Sequence, residues 1–257
     1  STGALSFISA PDFETPTDAG GNNVYDVTVQ VSDGQGSTDS QAIAVTVTSA
    51  NDNAPVITSG ATASVAENTT AVMTVTATDA DQPAQTLSFS IAGGADAAKF
   101  TINAGTGALS FVSAPDFESP TDAGGDNVYD VTVQVSDGQG STNSQAIAVT
   151  VTSANDNAPL ITSGATANVA ENTTAVMTVT ATDADQPAQT LSYSIIGGAD
   201  AAKFTINAST GALSFVSAPD FETPTDAGGD NVYDVTVQVS DGQGSTDSLA
   251  IAVTVTA

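Results

Sequence analysis

The chain repeats itself with an offset of 104 residues. TGALSF occurs at 2–7, 106–111 and 210–215, NDNAP at 51–55 and 155–159, and AENTTAVMTVTATDADQPAQTLS at 66–88 and 170–192. Segments 51–154 and 155–257 differ at nine positions, most of them conservative (Val56/Leu160, Phe89/Tyr193, Ser119/Thr223), and residues 1–50 parallel 105–154. A period of this length is too long for a solenoid unit and suits a self-contained domain. The expected organisation is the C-terminal half of a repeat at 1–50 and complete repeats at 51–154 and 155–257. Such a chain reads as a window on a longer tandem array. The front half missing from 1–50 is expected from upstream sequence or from another molecule, because half a domain exposes unpaired strand edges.

Within a repeat the apolar period is two, the signature of strands. In Val128–Ser136, Tyr129, Val131, Val133 and Val135 point one way and Asp130, Thr132, Gln134 and Ser136 the other. Similar alternation marks Ala71–Thr78, Leu87–Ile91, Phe100–Asn103, Leu109–Phe111 and Ala146–Thr152, with Gly-rich turn signals such as GTG, DAGGD and DGQG between them. No segment carries a helical stripe. About seven short strands in roughly 100 residues predict an all-β, seven-stranded Greek-key sandwich, repeated in tandem. The alternating Phe, Tyr, Val, Ile and Leu residues are its core.

Composition narrows the function. There are 29 acidic residues and 2 basic ones, for a formal charge of −27. Nucleic-acid binding needs Lys and Arg to displace condensed counterions, and an anionic membrane surface attracts polybasic segments, so both are excluded as partners. No apolar run is long enough to insert in a membrane. His and Cys are absent, which removes Ser–His and Cys–His nucleophile pairs, thiolate zinc sites and disulfides. With 40% apolar and only 12% charged residues the chain folds, provided that its charge is handled.

The placement of the acids says how. The five glutamates, Glu14, Glu67, Glu118, Glu171 and Glu222, all lie in AEN or PDFE motifs. Aspartates recur in NDN (Asp52, Asp156), TDAD (Asp79, Asp81, Asp183, Asp185) and the strand-end VSDG (Asp33, Asp137, Asp241). Acids and amides at short fixed spacing on loops are hard oxygen ligands suited to Ca²⁺.

The ordered set AEN…TDAD…PDFE…Y-x-V-x-V-x-D…NDNAP resembles the cadherin repeat over essentially the whole chain. The near-identical copies, rich in Thr, Ser, Ala, Asp and Gly, look more like the extender region of bacterial giant (RTX-type) surface adhesins than like animal cell–cell cadherins. The resemblance implies an immunoglobulin/cadherin-like sandwich with calcium at each junction between repeats. At the second junction it implies ligands from Glu67, Asp116 and Glu118 upstream, Asn155, Asp156 and Asn157 in the linker, and Asp183, Asp185 and Asp241 downstream. At the first junction the set is Asp12, Glu14, Asn51, Asp52, Asn53, Asp79, Asp81 and Asp137. This site lacks the AEN glutamate and is expected to be weaker or incomplete. The family also draws a carbonyl from the loop after TDAD, which here reads QPAQ, so that ligand is open.

Electrostatics support the metal independently. Two carboxylates 4 Å apart repel by about 4 kcal/mol at an effective dielectric near 20. Seven of them meet in the second set, while the only cations, Lys99 and Lys203, lie in a different motif, DAAKF. Extracellular calcium modules have dissociation constants of about 10⁻⁴–10⁻³ M, so such an array is expected outside the cell, at its surface.

Asp122, Asp126 and Asp130, with Asp226, Asp230 and Asp234, form a further acidic loop, either a calcium site within the domain or a solvated connection. Paired carboxylates can serve a glycosidase, but the metal accounts for these and no Trp platform exists, so no enzyme is expected. The expected function is a calcium-stiffened extender of a long adhesion protein, its partners being neighbouring repeats and possibly other copies of the protein. The alternative is a repeat that itself binds polysaccharide or self-associates, which an exposed aromatic row would favour.

Overall fold

The computed structural model describes residues 3–257. Ser1 and Thr2, the first residues of the expected half-repeat, lie outside the described residues. The chain forms two compact units, one of residues 3–115 with 121–151 and the other of 116–120 with 152–257.

The first unit opens with β1 (Val24–Ser32) and β2 (Thr38–Thr46). It continues through β3 (Val56–Ile57), β4 (Thr62–Ala66), β5 (Ala71–Thr74), β6 (Ala77–Thr78), β7 (Ser88–Gly93), β8 (Phe100–Ile102), β9 (Ala108–Phe111), β10 (Val128–Ser136) and β11 (Thr142–Thr152). One sheet has the order β4-β11-β10-β7, and β5-β9-β8 and the β3-β6 pair form the opposing layer. The second unit repeats this with β12 (Leu160–Ile161), β13 (Thr166–Ala170), β14 (Ala175–Thr178), β15 (Ala181–Thr182), β16 (Ser192–Gly197), β17 (Phe204–Ile206), β18 (Ala212–Phe215), β19 (Val232–Ser240) and β20 (Thr246–Thr256). Its sheets are β13-β20-β19-β16, β14-β18-β17 and β12-β15. β13 runs parallel to β20, whereas β19 pairs antiparallel with both β16 and β20. The architecture is thus the expected all-β sandwich in tandem.

The strand read at Val128–Ser136 is β10, residue for residue, and its apolar row is buried. The strand expected at Ala71–Thr78 is broken. Between β5 and β6 the Val75 N–H leaves the ladder and donates to Gly107 O at 2.8 Å. The short strand at Thr62–Ala66 was not expected, since a run of Thr, Ala, Ser and a single valine alternates weakly. One-turn 3₁₀ segments occur at Ala97–Lys99 and Ala201–Lys203.

Inside each sandwich two phenylalanines stack on each other, and a tyrosine packs edge to face on both. The Tyr129 ring meets Phe111 at 5.1 Å and Phe100 at 6.4 Å, and its hydroxyl accepts the Thr121 N–H at 3.2 Å. Tyr233, Phe215, Phe204 and Thr225 repeat the arrangement. Residues before β3 contribute a hairpin with the same register as β10–β11. Yet Val31 is 66% exposed where its counterpart Val135 is 0%, because no second sheet among the described residues covers β1 and β2.

Candidate metal centre

The junction motifs fall at strand ends and on the loops that follow them. Each PDFE loop is closed by its own aspartate. Asp12 Oδ1 accepts the N–H of Glu14 at 2.9 Å and of Thr15 at 3.1 Å, and Asp116 and Asp220 do the same for Glu118/Ser119 and Glu222/Thr223. These aspartates set the direction of the glutamate two residues on. Asn23 Nδ2 ties the loop down by donating to Phe13 O.

In the first unit this turn brings Glu14 to the loop after TDAD, where its Oε1 accepts the Gln82 N–H at 3.3 Å. One carboxylate oxygen each from Glu14, Asp52 and Asp81 then lie within 4.8 Å of one another. Asp81 is 1% exposed and accepts the Asn53 backbone N–H at 3.2 Å and Asn53 Nδ2 at 2.8 Å. Asp79 Oδ1 accepts the Asp81 N–H, and Asp79 Oδ2 is buried without a hydrogen-bond partner. Asn51 Nδ2 donates to Asp137 Oδ2 at 3.0 Å. All eight residues expected at the first junction therefore sit on the NDN linker, the TDAD loop, the VSDG turn and the PDFE loop. Of these, Glu14, Asp52 and Asp81 bring their carboxylates together, while Asp12 accepts N–H groups of its own loop.

The second unit holds most of the second expected set. Glu118 Oε1 accepts the Gln186 N–H at 3.1 Å, Asp185 accepts from Asn157 N and Nδ2, and Asn155 Nδ2 donates to Asp241 Oδ2 at 3.0 Å. Asp156 Oδ1 accepts from Asn157 Nδ2, and Asp183 Oδ2 is again buried without a partner. Glu67 lies buried at the end of β4, in the first unit. Glu171, Asp220 and Glu222 also bring carboxylate oxygens within 4.8 Å of one another.

These residues fit a hard divalent cation. The donors are all oxygen, they converge, and the buried Asp79 Oδ2 and Asp183 Oδ2 lack any proton donor. Unpaired buried carboxylate oxygens are costly unless a cation or a proton donor meets them.

Several of the carboxyls are held below the ordinary range. For Asp137 the first cause is the Asn51 amide, followed by the Gln139, Ser141 and Gly140 N–H groups, against the upward push of burial. Burial pushes Asp185 up, but the Asn157 side chain and backbone outweigh it, and the net shift is downward. A carboxyl whose folded pKa is depressed contributes stability that is complete above its unfolded value, about 3.9 for Asp, and is lost as pH falls through the lower folded value. We therefore expect the thermal midpoint in EGTA to hold from about pH 7 to about pH 5 and to drop below about pH 4. A midpoint that rises on acidification would mean that repulsion among the acids outweighs their hydrogen bonds.

In the acidic loop at 122–130, Asp122 and Asp126 turn their carboxylates onto the loop's own backbone. Asp122 accepts the Asp126 and Asn127 N–H groups, and Asp126 accepts that of Val128. Asp96, to which the sequence reading assigned no role, completes this closure. It is buried and accepts from Ala123 N at 2.7 Å and Asp130 N at 2.9 Å, as Asp200 does from Ala227 and Asp234. Its sequence signal was faint, the single aspartate that opens the DAAKF motif.

Sandwiches repeated in tandem, with acids gathered on linker and strand-end loops, define a class of modular ectodomain-type repeats. The chain belongs to the cadherin domain family, whose model matches residues 61–152 and 165–256. It is 34% identical to mouse protocadherin Fat 4 over 267 residues, covering 99% of this chain and 5% of that protein. It is 32% identical to human protocadherin Fat 1 over 275 residues, covering 99% of this chain and 6% of that one. The chain thus spans about a twentieth of the length of these relatives. Among solved structures, mouse cadherin-23 EC22-24 superposes with a TM-score of 0.66 at 25% identity, over 96% of this chain and 77% of that one. The protocadherin gammaB7 EC3-6 cis-dimer superposes with a TM-score of 0.68 at 25% identity, over 96% and 60%. No helix among the described residues is long and apolar enough to cross a membrane.

Proposed function

We propose that these tandem cadherin repeats are a calcium-stiffened extender of a long extracellular adhesion protein, with repeats at 51–154 and 155–257 following a half-repeat at 1–50. The observation that carries this reading is the cluster of Glu14, Asp52 and Asp81, three carboxylates converging on one point with no basic residue in any of their motifs. Asp12 and Glu14 come from one repeat, Asn51–Asn53 from the linker, and Asp79, Asp81 and Asp137 from the next. A Ca²⁺ ion held by such a set removes their mutual repulsion and supplies a cross-link between consecutive repeats. Glu67, Asp116, Glu118, Asn155, Asp156, Asn157, Asp183, Asp185 and Asp241 are the corresponding set for the second linker. The resident cofactor is calcium and the partners are neighbouring repeats. The near-identity of the copies supports an origin like the extender regions of bacterial giant surface adhesins, where length and stiffness matter more than the individuality of each repeat.

Small-angle X-ray scattering tests the reading. With about 5 mM CaCl₂, above the usual range for extracellular modules, the maximum dimension should be well defined, and it should broaden in excess EGTA. An unchanged profile would reject calcium as the stiffening agent and would favour the repeats as binding modules. Against that alternative, Phe221 is the only exposed aromatic of the two complete repeats among the described residues, so there is no aromatic row to bind sugar.

A further inference from the structure

The QPAQ loop holds a residue that completes the cluster from within the chain. Gln85 Nε2 donates to Asn51 Oδ1 and to Asp81 Oδ2, the latter at 3.4 Å. Asn51 in turn donates to Asp137. A relay Asp137–Asn51–Gln85–Asp81 therefore runs through two side-chain amides. The other half of the Gln85 amide has nothing to do, because Oε1 is buried and has no hydrogen-bond partner. The second unit repeats every part of this. Gln189 Nε2 donates to Asn155 Oδ1 and, at 3.2 Å, to Asp185 Oδ2, Asn155 donates to Asp241, and Gln189 Oε1 is buried and unpartnered.

A buried amide oxygen without a donor is a cost that native structures rarely leave unexplained. Here the NH₂ group bridges two oxygens of the acidic site, as a cation would. Its carbonyl oxygen is the harder, better metal ligand. The two ends of the amide exchange by a half-turn about the last side-chain torsion, which is a soft rotation. An open cleft of about 550 Å³, lined in part by Asn51, Gln82, Gln85 and Asp137, gives an ion a way in.

We propose that Gln85 and Gln189 are two-state ligands of the junction cation. Without Ca²⁺ the NH₂ group holds Asn51 to Asp81, and Asn155 to Asp185. With Ca²⁺ the amide turns over and its Oε1 supplies the neutral oxygen that the loop after TDAD contributes to the site. This rests on the calcium reading above and adds a residue to it.

The test uses the 257-residue chain with Gln85→Met and Gln189→Met together, and separately with Gln85→Glu and Gln189→Glu. Methionine keeps the length of the side chain and removes both amide ends, and glutamate keeps an oxygen ligand and adds charge. Calorimetric titration with CaCl₂ should show one class of sites weakened about tenfold by methionine and tightened by glutamate, the remaining sites being unchanged. In EGTA the methionine variant should melt earlier than the parent chain, because the amide bridge is gone. In ¹⁵N spectra of the parent chain the side-chain NH₂ signals of these two glutamines should move on adding calcium. A parent chain that binds calcium, paired with a methionine variant of equal affinity or with unmoved NH₂ signals, would overturn this inference alone. A parent chain that binds no calcium would overturn it together with the calcium reading.

Discussion

Changing Asp81 and Asp185 together to asparagine is expected to weaken calcium binding at the junctions by at least about 100-fold, since loss of an outer-shell partner alone costs 10–100-fold at metal sites. Each aspartate is buried and receives the linker asparagine through both backbone and side chain, and Asp81 belongs to the cluster with Glu14 and Asp52. Asparagine keeps the shape and one acceptor oxygen for those bonds while removing a full negative charge. The sandwiches should therefore stay folded in EGTA. What disappears is the stabilisation by calcium, about 2.7 kcal/mol per site at free calcium 100 times the dissociation constant. Thermal melts of parent and variant in EGTA and in excess CaCl₂ read both halves of this statement. A variant that gains as much from calcium as the parent would remove these two residues from the site. Asp122→Asn is the control, because Asp122 closes its own loop and should leave the response to calcium intact.

The largest effect on stability is expected from Gly107→Ala, or its counterpart Gly211→Ala. Gly107 has φ +70°, and a Cβ built there would stand 2.1 Å from the Val75 carbonyl oxygen. Gly211 stands in the same relation to Val179 at 2.1 Å. The obstacle is backbone, and it is held by the bond from Val75 N to Gly107 O, so relief requires the two segments to part. A left-handed conformation costs a non-glycine residue about 1–2 kcal/mol, and forced overpacking adds about 1–3 kcal/mol. A loss of about 3 kcal/mol or more in one repeat lowers its melting midpoint by roughly 15 °C, on the scale of a domain of about 100 residues. Gly105→Ala, two residues away, meets nothing nearer than Asn103 Oδ1 at 3.7 Å and should be nearly neutral. The second repeat carries Ser209 at that position, in keeping with this expectation. Equal melting of the Gly105 and Gly107 variants would show that the close approach to Val75 is not a constraint.

The internal identity at an offset of 104 residues and the two-residue alternation determined, without coordinates, that the chain is all-β, built of tandem sandwiches, with Tyr129, Val131, Val133 and Val135 inward. Side-chain period and turn chemistry are local, so they are legible in one dimension. The resemblance of the motifs to the cadherin repeat likewise put Glu14, Asp52 and Asp81 in one expected ligand set before any distance was known. What it could not separate were aspartates of one sequence type with different employment. Asp12 and Asp122 spend their oxygens on nearby N–H groups, and Asp96 reaches 27 and 34 residues along the chain to close a loop. The break in the strand at Val75 and the buried, half-satisfied amide of Gln85 are also invisible in sequence. Both arise from groups brought together across the fold, Val75 with Gly107 and Gln85 with Asn51. Whether a carboxylate faces its own backbone or a shared centre is decided by which N–H groups lie within reach, and only the tertiary structure brings those groups there.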